Sequence, residues 1–206
     1  MPRTFAADSL PPSAAIARLR EGNRRFSTGQ PQAPSLWHAG LAQGQSPFAV
    51  VLGCADSRAP AEFVFDQGLG DLFVIRVAGN IVAPSLVGSI EFAASQFGTR
   101  LVVVMGHTLC GAVGATVHAL EHGAPESPNL QSITRRIEPH VRHLFEGPGD
   151  HEARLLAAVR ANAIASAAEL RRSSDILRAL VERGRVAVVA AVYDLSTGVV
   201  TFLEDA

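Results

Sequence analysis

The chain carries two cysteines, and each lies in a short polar cluster that closes an apolar run. Cys54-Ala55-Asp56-Ser57-Arg58 follows Phe48-Ala49-Val50-Val51-Leu52-Gly53, and His107-Thr108-Leu109-Cys110 follows Leu101-Val102-Val103-Val104-Met105-Gly106. Two thiolates and an imidazole brought together at the ends of two strands supply three soft-to-borderline donors for Zn²⁺, with Asp56 available as a fourth. Three protein ligands and an exchangeable fourth position form a catalytic layout. A disulfide between the two cysteines is the competing use. The adjacent His and Asp favour metal, and so does a start, Met1-Pro2-Arg3-Thr4-Phe5, that lacks the apolar stretch of a secretory signal and so points to a reducing cytoplasm.

The elements that must position these groups follow from the hydrophobic pattern. Unbroken Val, Ile and Leu runs at Phe48–Leu52, Asp71–Val77, Leu101–Met105 and Val186–Val192 predict strands covered on both faces, as parallel sheets are. The run Val199–Leu203 follows the turn-like Asp194-Leu195-Ser196-Thr197-Gly198 and should pair antiparallel with its predecessor. Helical patterns occupy Ser13–Phe26 after the Pro11-Pro12 breaker, Pro84–Phe97, Gly111–His122, Leu130–Phe145 and Glu152–Glu182, the last interrupted near Ser173-Ser174. Residues Ser27 to Gln45 show no period and read as an arm or loop. The expectation is one α/β domain over 1–206, with an N-terminal helix and arm (1–46) and an α/β core (47–206). Its sheet has four mainly parallel strands and an antiparallel edge strand, flanked by helices.

In an open parallel sheet the functional crevice lies outside the carboxyl ends of the strands, and Cys54 and His107 both sit at such ends. Cys110 comes three residues after His107, which on the first turn of a helix would put both side chains on one face. That helix N-terminus would favour the thiolate, and Gly111 would let a backbone amide or ligand approach closely.

Composition narrows the partners. With 206 residues, 48% of them hydrophobic, the chain can build one substantial core. Its 18 basic and 19 acidic residues leave a net charge of −1, so no overall field draws nucleic acid or anionic lipid, and a small neutral substrate is compatible. The apolar runs are too short to span a bilayer. The glycines of Asp66–Asp71 lack the lysine and helix start of a phosphate loop, and no dinucleotide fingerprint follows the first strand.

Nearly the whole chain resembles the β-class carbonic anhydrases. The matching pieces are Glu21-Gly22-Asn23-Arg24-Arg25-Phe26, Cys54-Ala55-Asp56-Ser57-Arg58, Asp66-Gln67-Gly68-Leu69-Gly70-Asp71-Leu72-Phe73, Arg76-Val77-Ala78-Gly79-Asn80, Gly106-His107-Thr108-Leu109-Cys110-Gly111-Ala112-Val113 and Tyr193-Asp194. The resemblance implies one zinc per subunit on Cys54, His107 and Cys110, and reversible hydration of CO2 to bicarbonate and a proton by zinc-bound hydroxide. It also implies an Asp56–Arg58 dyad. In one state the aspartate is itself the fourth ligand, and in the other Arg58 holds it away and water takes the position. Two thiolates make zinc a weaker acid than three imidazoles would, so Asp56 is expected to accept the hydrogen bond of the hydroxide and aim its lone pair.

The resemblance further implies homodimers, often paired into homotetramers, with the cleft at the dimer interface. The N-terminal helix and arm have no evident place on a doubly covered sheet, so wrapping around a second subunit is the expectation. Some members carry a second bicarbonate site that uses a tryptophan three positions before the first cysteine and a tyrosine like Tyr193. Here that position is Val51, and the sole tryptophan is Trp37.

Plainer readings stand beside these. A lone cysteine behaves as a small buried hydrophobe, and Asp56 with Arg58 could cap and pin a helix start. His38, His118, His122, His140, His143 and His151 read as surface or packing residues, and Arg76 and Asn80 as supports of the site's rim. Two rival functions are a hydrolase of carbon disulfide or carbonyl sulfide on the same scaffold and a non-enzymatic zinc module, against which Asp56 and Arg58 argue.

Overall fold

Alternation along the strands decides the architecture. In a computed structural model, which describes residues 9–32, 37, 39–123, 127–146 and 149–203, β1 (Ala49–Gly53) is buried at every position. Val50 and Leu52 enter one core while Ala49 and Val51 enter another, because successive side chains point to opposite faces. β2 (Leu72–Arg76), β3 (Leu101–His107) and β4 (Ala187–Tyr193) join it in a sheet of order β2-β1-β3-β4-β5. The first four strands are parallel, and β5 (Val200–Leu203) runs antiparallel against β4. Both the predicted parallel core and the antiparallel edge strand are present.

The two faces are covered unequally. On one lie α3 (Pro84–Phe97), α4 (Gly111–His122), α5 (Pro128–Val141), α6 (His151–Arg172) and α7 (Asp175–Glu182), contributing Ile90, Val113, Ile137, Ala163 and Leu177 among others. The predicted break is real: Ser174 caps α7, its hydroxyl accepting from the Leu177 amide at 3.1 Å. The segment expected as Leu130–Phe145 starts earlier, at Pro128, and tightens into a 3₁₀ turn over Arg142–Phe145.

The opposite face is covered by α1 (Pro12–Ser27) and the four-residue α2 (Ala61–Val64), which is too short to leave a readable period. The N-terminal helix thus has a place on the sheet of its own chain, which the hydrophobic pattern did not reveal. Ala15 and Leu19 are wholly buried against Val51, Val64 and Phe65 of the same chain. Gly22 makes the fit possible, since a Cβ there would lie 1.8 Å from the Phe65 carbonyl oxygen. Asn23 then donates to the carbonyls of Val64 and Gly198 at 3.0 and 2.9 Å and accepts from the Val200 amide at 2.8 Å. Of the arm, Ala39–Gln43 form a 3₁₀ turn; His38 and the Met1–Phe5 start lie outside the described residues. Among the described residues, no helix is long and apolar enough to cross a membrane.

Candidate metal centre

Register places the chemistry. Gly53 pairs with Met105 and His107 with Tyr193, so the carboxyl ends of β1, β3 and β4 lie side by side. Cys54 is the first residue beyond β1, and His107 is the last of β3. The candidate ligand atoms of Cys54, His107 and Cys110 lie within 4.8 Å of one another, all in buried residues. Cys110 does not share a helical turn with His107, as its spacing suggested. It is the N-cap residue of α4, reached by a tight reversal in which Leu109 takes a left-handed φ of 57°. That conformation costs a leucine on the order of 1–2 kcal/mol. The reversal is held by the Thr108 amide, which donates to the Tyr193 carbonyl at 2.9 Å, and by the Thr108 hydroxyl, which accepts from Leu195 at 3.0 Å.

The donor atoms are prepared for a metal. His107 Nδ1 lies 2.9 Å from the Thr108 carbonyl oxygen, which can only accept, so Nδ1 carries the proton and Nε2 presents its lone pair. Among the described residues that buried Nε2 has no hydrogen-bond partner, a costly arrangement unless something else takes the lone pair. The sulfurs of Cys54 and Cys110 stand 4.0 Å apart as free thiols. Two thiolates and one imidazole suit a borderline-soft divalent ion.

Electrostatics divide the two sulfurs. The hydrogen bond from Cys110 holds the Cys54 thiol well below the ordinary thiol range despite its burial, and the Gly79 amide, donating at 3.3 Å, adds to the effect. Cys110 is pushed up by that same claim of Cys54 and by burial; the first amides of α4, which were expected to favour its thiolate, lower it by less. One proton therefore leaves easily and the second is one a metal must displace. For His107, burial opposes the charged form, but its contacts with the Cys54 sulfur outweigh that and raise it.

Asp56 and Arg58 adjoin the cluster. Arg58 Nε and Nη2 donate to Asp56 Oδ1 and Oδ2 at 2.9 and 2.8 Å, and the Arg58 amide adds a third bond at 2.9 Å. This pairing holds the Asp56 carboxyl well below the usual carboxylate range. Asp56 Oδ2 lies 3.8 Å from His107 Nε2. Arg76 fixes the loop between them from below, donating to the Cys54 carbonyl at 2.9 Å and to the Asp56 carbonyl.

Other marked residues stand apart. Gly111 faces open space: apart from its chain neighbours and its own helix backbone, no described atom lies within 4 Å of where a Cβ would be. Val51 is wholly buried in the core cluster that also holds Met105 and Tyr193. His118 and His122 stack on each other at the end of α4, their ring centroids 4.4 Å apart. Two residues to which the sequence assigned no role of their own also bear on this centre: Gly79, whose amide donates to Cys54 Sγ, and Asn162, which holds the Gly79 carbonyl at 2.9 Å.

The comparisons agree with this geometry. A family model described as carbonic anhydrase matches residues 49–200. Carbonic anhydrase 2 of Mycobacterium tuberculosis (strain ATCC 25618 / H37Rv) is 40% identical over 190 residues, covering 91% of this chain and 90% of that protein. Among solved structures, the β-carbonic anhydrase CafA of the fungal pathogen Aspergillus fumigatus superposes with a TM-score of 0.70 at 28% identity, covering 94% of this chain and 91% of that one. A structure from a study of two tetrameric β-carbonic anhydrases of the filamentous ascomycete Sordaria macrospora shares the fold at 24% identity, with a TM-score of 0.69 over 93% of this chain and 92% of that one. From the parallel sheet to the Cys-His-Cys cluster at its carboxyl edge, sequence, fold and site agree: this chain belongs to the β-carbonic anhydrase family.

Proposed function

We propose that the chain catalyses the reversible hydration of CO2 to bicarbonate and a proton, with one zinc ion per subunit on Cys54 Sγ, His107 Nε2 and Cys110 Sγ. The observation that carries this reading is the buried Nε2 of His107, without a hydrogen-bond partner among the described residues and within 4.8 Å of two free thiols. Zinc, when bound, lowers the pKa of water from about 15.7 toward roughly 7 and so supplies a nucleophile at neutral pH.

The chain's own residues do the rest. Cys54 and Cys110 give up their protons to hold the ion, and Thr108 orients the His107 ring through Nδ1. Asp56 Oδ2 would accept a hydrogen bond from an O–H of the attacking water and so turn that water's lone pair toward the CO2 carbon. Arg58 fixes that carboxylate from two sides, and Arg76 fixes the loop that carries it. Were Asp56 to serve as a fourth ligand instead, Arg58 would have to release its carboxylate.

Residues 1–206 act in this reading as one domain, with α1 as part of its core, in a reducing cytoplasm that keeps Cys54 and Cys110 as thiols. A homodimer or homotetramer is the proposed assembly. Exposed Phe63 and Phe92 and the outer edge of β2 offer apolar surface and unpaired backbone for it, and the Sordaria macrospora study describes tetrameric β-carbonic anhydrases. Stopped-flow CO2 hydration by the wild type and by Asp56→Ala, each with its zinc measured, tests the function. An active wild type and a zinc-replete, strongly impaired variant are expected; a fully active Asp56→Ala removes the aspartate from the mechanism.

A further inference from the structure

A chain of buried polar contacts leads from the surface to one of the two sulfurs. Asn162, in the middle of α6, is completely buried. Its Nδ2 donates to the Gly79 carbonyl at 2.9 Å, and its Oδ1 lies 3.1 Å from His140 Nδ1, on α5. A carbonyl oxygen can only accept, so the amide nitrogen of Asn162 faces Gly79, its oxygen faces His140, and His140 presents Nδ1–H. His140 Nε2 in turn faces Glu169 at 3.9 Å. At the inner end, the Gly79 amide donates to Cys54 Sγ at 3.3 Å.

Gly79 can make both contacts because it adopts φ 75°, and it has no room for a side chain: a Cβ would lie 2.7 Å from Ile137 Cδ1 and 3.0 Å from Ala112 Cβ. Its backbone is thus clamped by Asn162 at the carbonyl and aimed at the sulfur by the amide. An N–H donor to a thiolate withdraws electron density that the sulfur would otherwise give to a metal, and partners outside the ligand shell both orient ligands and tune the ion.

We propose that Asn162 is a positioning residue for the metal centre: by pinning the Gly79 carbonyl it holds the Gly79 amide on Cys54 Sγ and sets how strongly that sulfur donates, while His140 fixes the orientation of Asn162. This rests on the reading of Cys54 as a metal ligand. The effect is on one thiolate only, because Cys110 lies at the end of a different loop.

The test uses the full-length chain loaded with zinc or with Co²⁺. The near-ultraviolet sulfur-to-cobalt charge-transfer band reads the thiolate, and the rate of zinc loss to an excess chelator reads how well it is held. Asn162→Ala is expected to move the band to lower energy, as a sulfur relieved of its N–H donor would, and to speed zinc loss about 10-fold or more, because an unpinned Gly79 loop leaves Cys54 poorly oriented and that loss outweighs its stronger donation. His140→Ala should move both in the same direction by less. His140→Asn, whose amide can occupy the place of Nδ1, should restore the wild-type band. A folded Asn162→Ala with unmoved band and unmoved zinc loss overturns the proposal. Where Asn162→Ala does not fold, His140→Ala decides, and an unmoved band there overturns it equally. A wild-type chain that binds neither metal fails differently, because it refutes the metal centre itself.

Discussion

The guanidinium of Arg58 grips both oxygens of the Asp56 carboxylate, at 2.9 and 2.8 Å, while Oδ2 of that carboxylate stands 3.8 Å from the lone-pair nitrogen of His107. One residue therefore controls where the carboxylate beside the three candidate ligands points. In the proposed reading the thiolates and imidazole hold an ion without Arg58, while the direction of Asp56 depends on it.

Replacing the clamp should separate binding from catalysis. Arg58→Ala is expected to keep its zinc and to lose on the order of 100-fold in kcat/KM for CO2 hydration, the scale of a misplaced catalytic group. Arg58→Lys should restore little, since a single ammonium cannot reproduce the two-pronged contact. Zinc analysis beside stopped-flow rates checks both, and near-wild-type activity in Arg58→Ala would contradict the role given to the pair.

The Asp56–Arg58 contact also fixes a sign for pH dependence. The folded-state pKa of Asp56 is lowered, chiefly by the Arg58 hydrogen bond, so its stabilising contribution is complete above the unfolded value of about 3.9 and disappears as pH falls through the lower folded value. The pair is consequently ionised throughout the neutral range while Arg58 holds. Rate profiles of wild type between pH 6 and 9 should carry no inflection that Asp56→Asn removes. An inflection present in the wild type and absent from Asp56→Asn would show that Asp56 titrates there.

Metal removal should cost stability as well as activity. At a free zinc concentration of about 1,000 times Kd, the ion stabilises the native state by about 4 kcal/mol, which for a chain of this size corresponds to roughly 10 °C in Tm. Calorimetry before and after chelation, and again after zinc is restored, measures this. His107→Ala should show the lower Tm from the start and fail to respond to zinc.

The N-terminal helix is held by a buried side chain with three named partners. Asn23→Ala leaves the carbonyls of Val64 and Gly198 and the amide of Val200 without them, and should destabilise the chain by about 3 kcal/mol in urea unfolding, given about 1–3 kcal/mol for a buried polar group left unpaired. A change below about 0.5 kcal/mol would mean that α1 is not bound to the sheet as described.

Much of this was legible in the sequence because particular residues have only one structural use. Val102-Val103-Val104 suits a strand covered on both faces, and Pro84 and Ser174 mark helix starts. The clustering of Cys54 with His107 and Cys110 followed from their places after two strands. The route from His107 to Cys110 did not, because a left-handed leucine at position 109 leaves no compositional mark. Nor did Asn162: its partners Gly79 and His140 lie 83 and 22 positions away, and only the packing of α5 and α6 over the loop after β2 brings them together. The place of α1 was missed for a similar reason, since Gly22 reads as a helix-weakening residue until the Phe65 carbonyl is seen against it.

The central claim is that Cys54, His107 and Cys110 hold one zinc that makes CO2 hydration possible. Its most direct test is to strip the purified chain of metal, titrate zinc back, and follow the stopped-flow hydration rate against measured occupancy. The account predicts no activity in the stripped chain and a linear rise that ends at one zinc per chain. Hydration by the stripped chain, or a chain with one bound zinc that does not hydrate CO2, would contradict it.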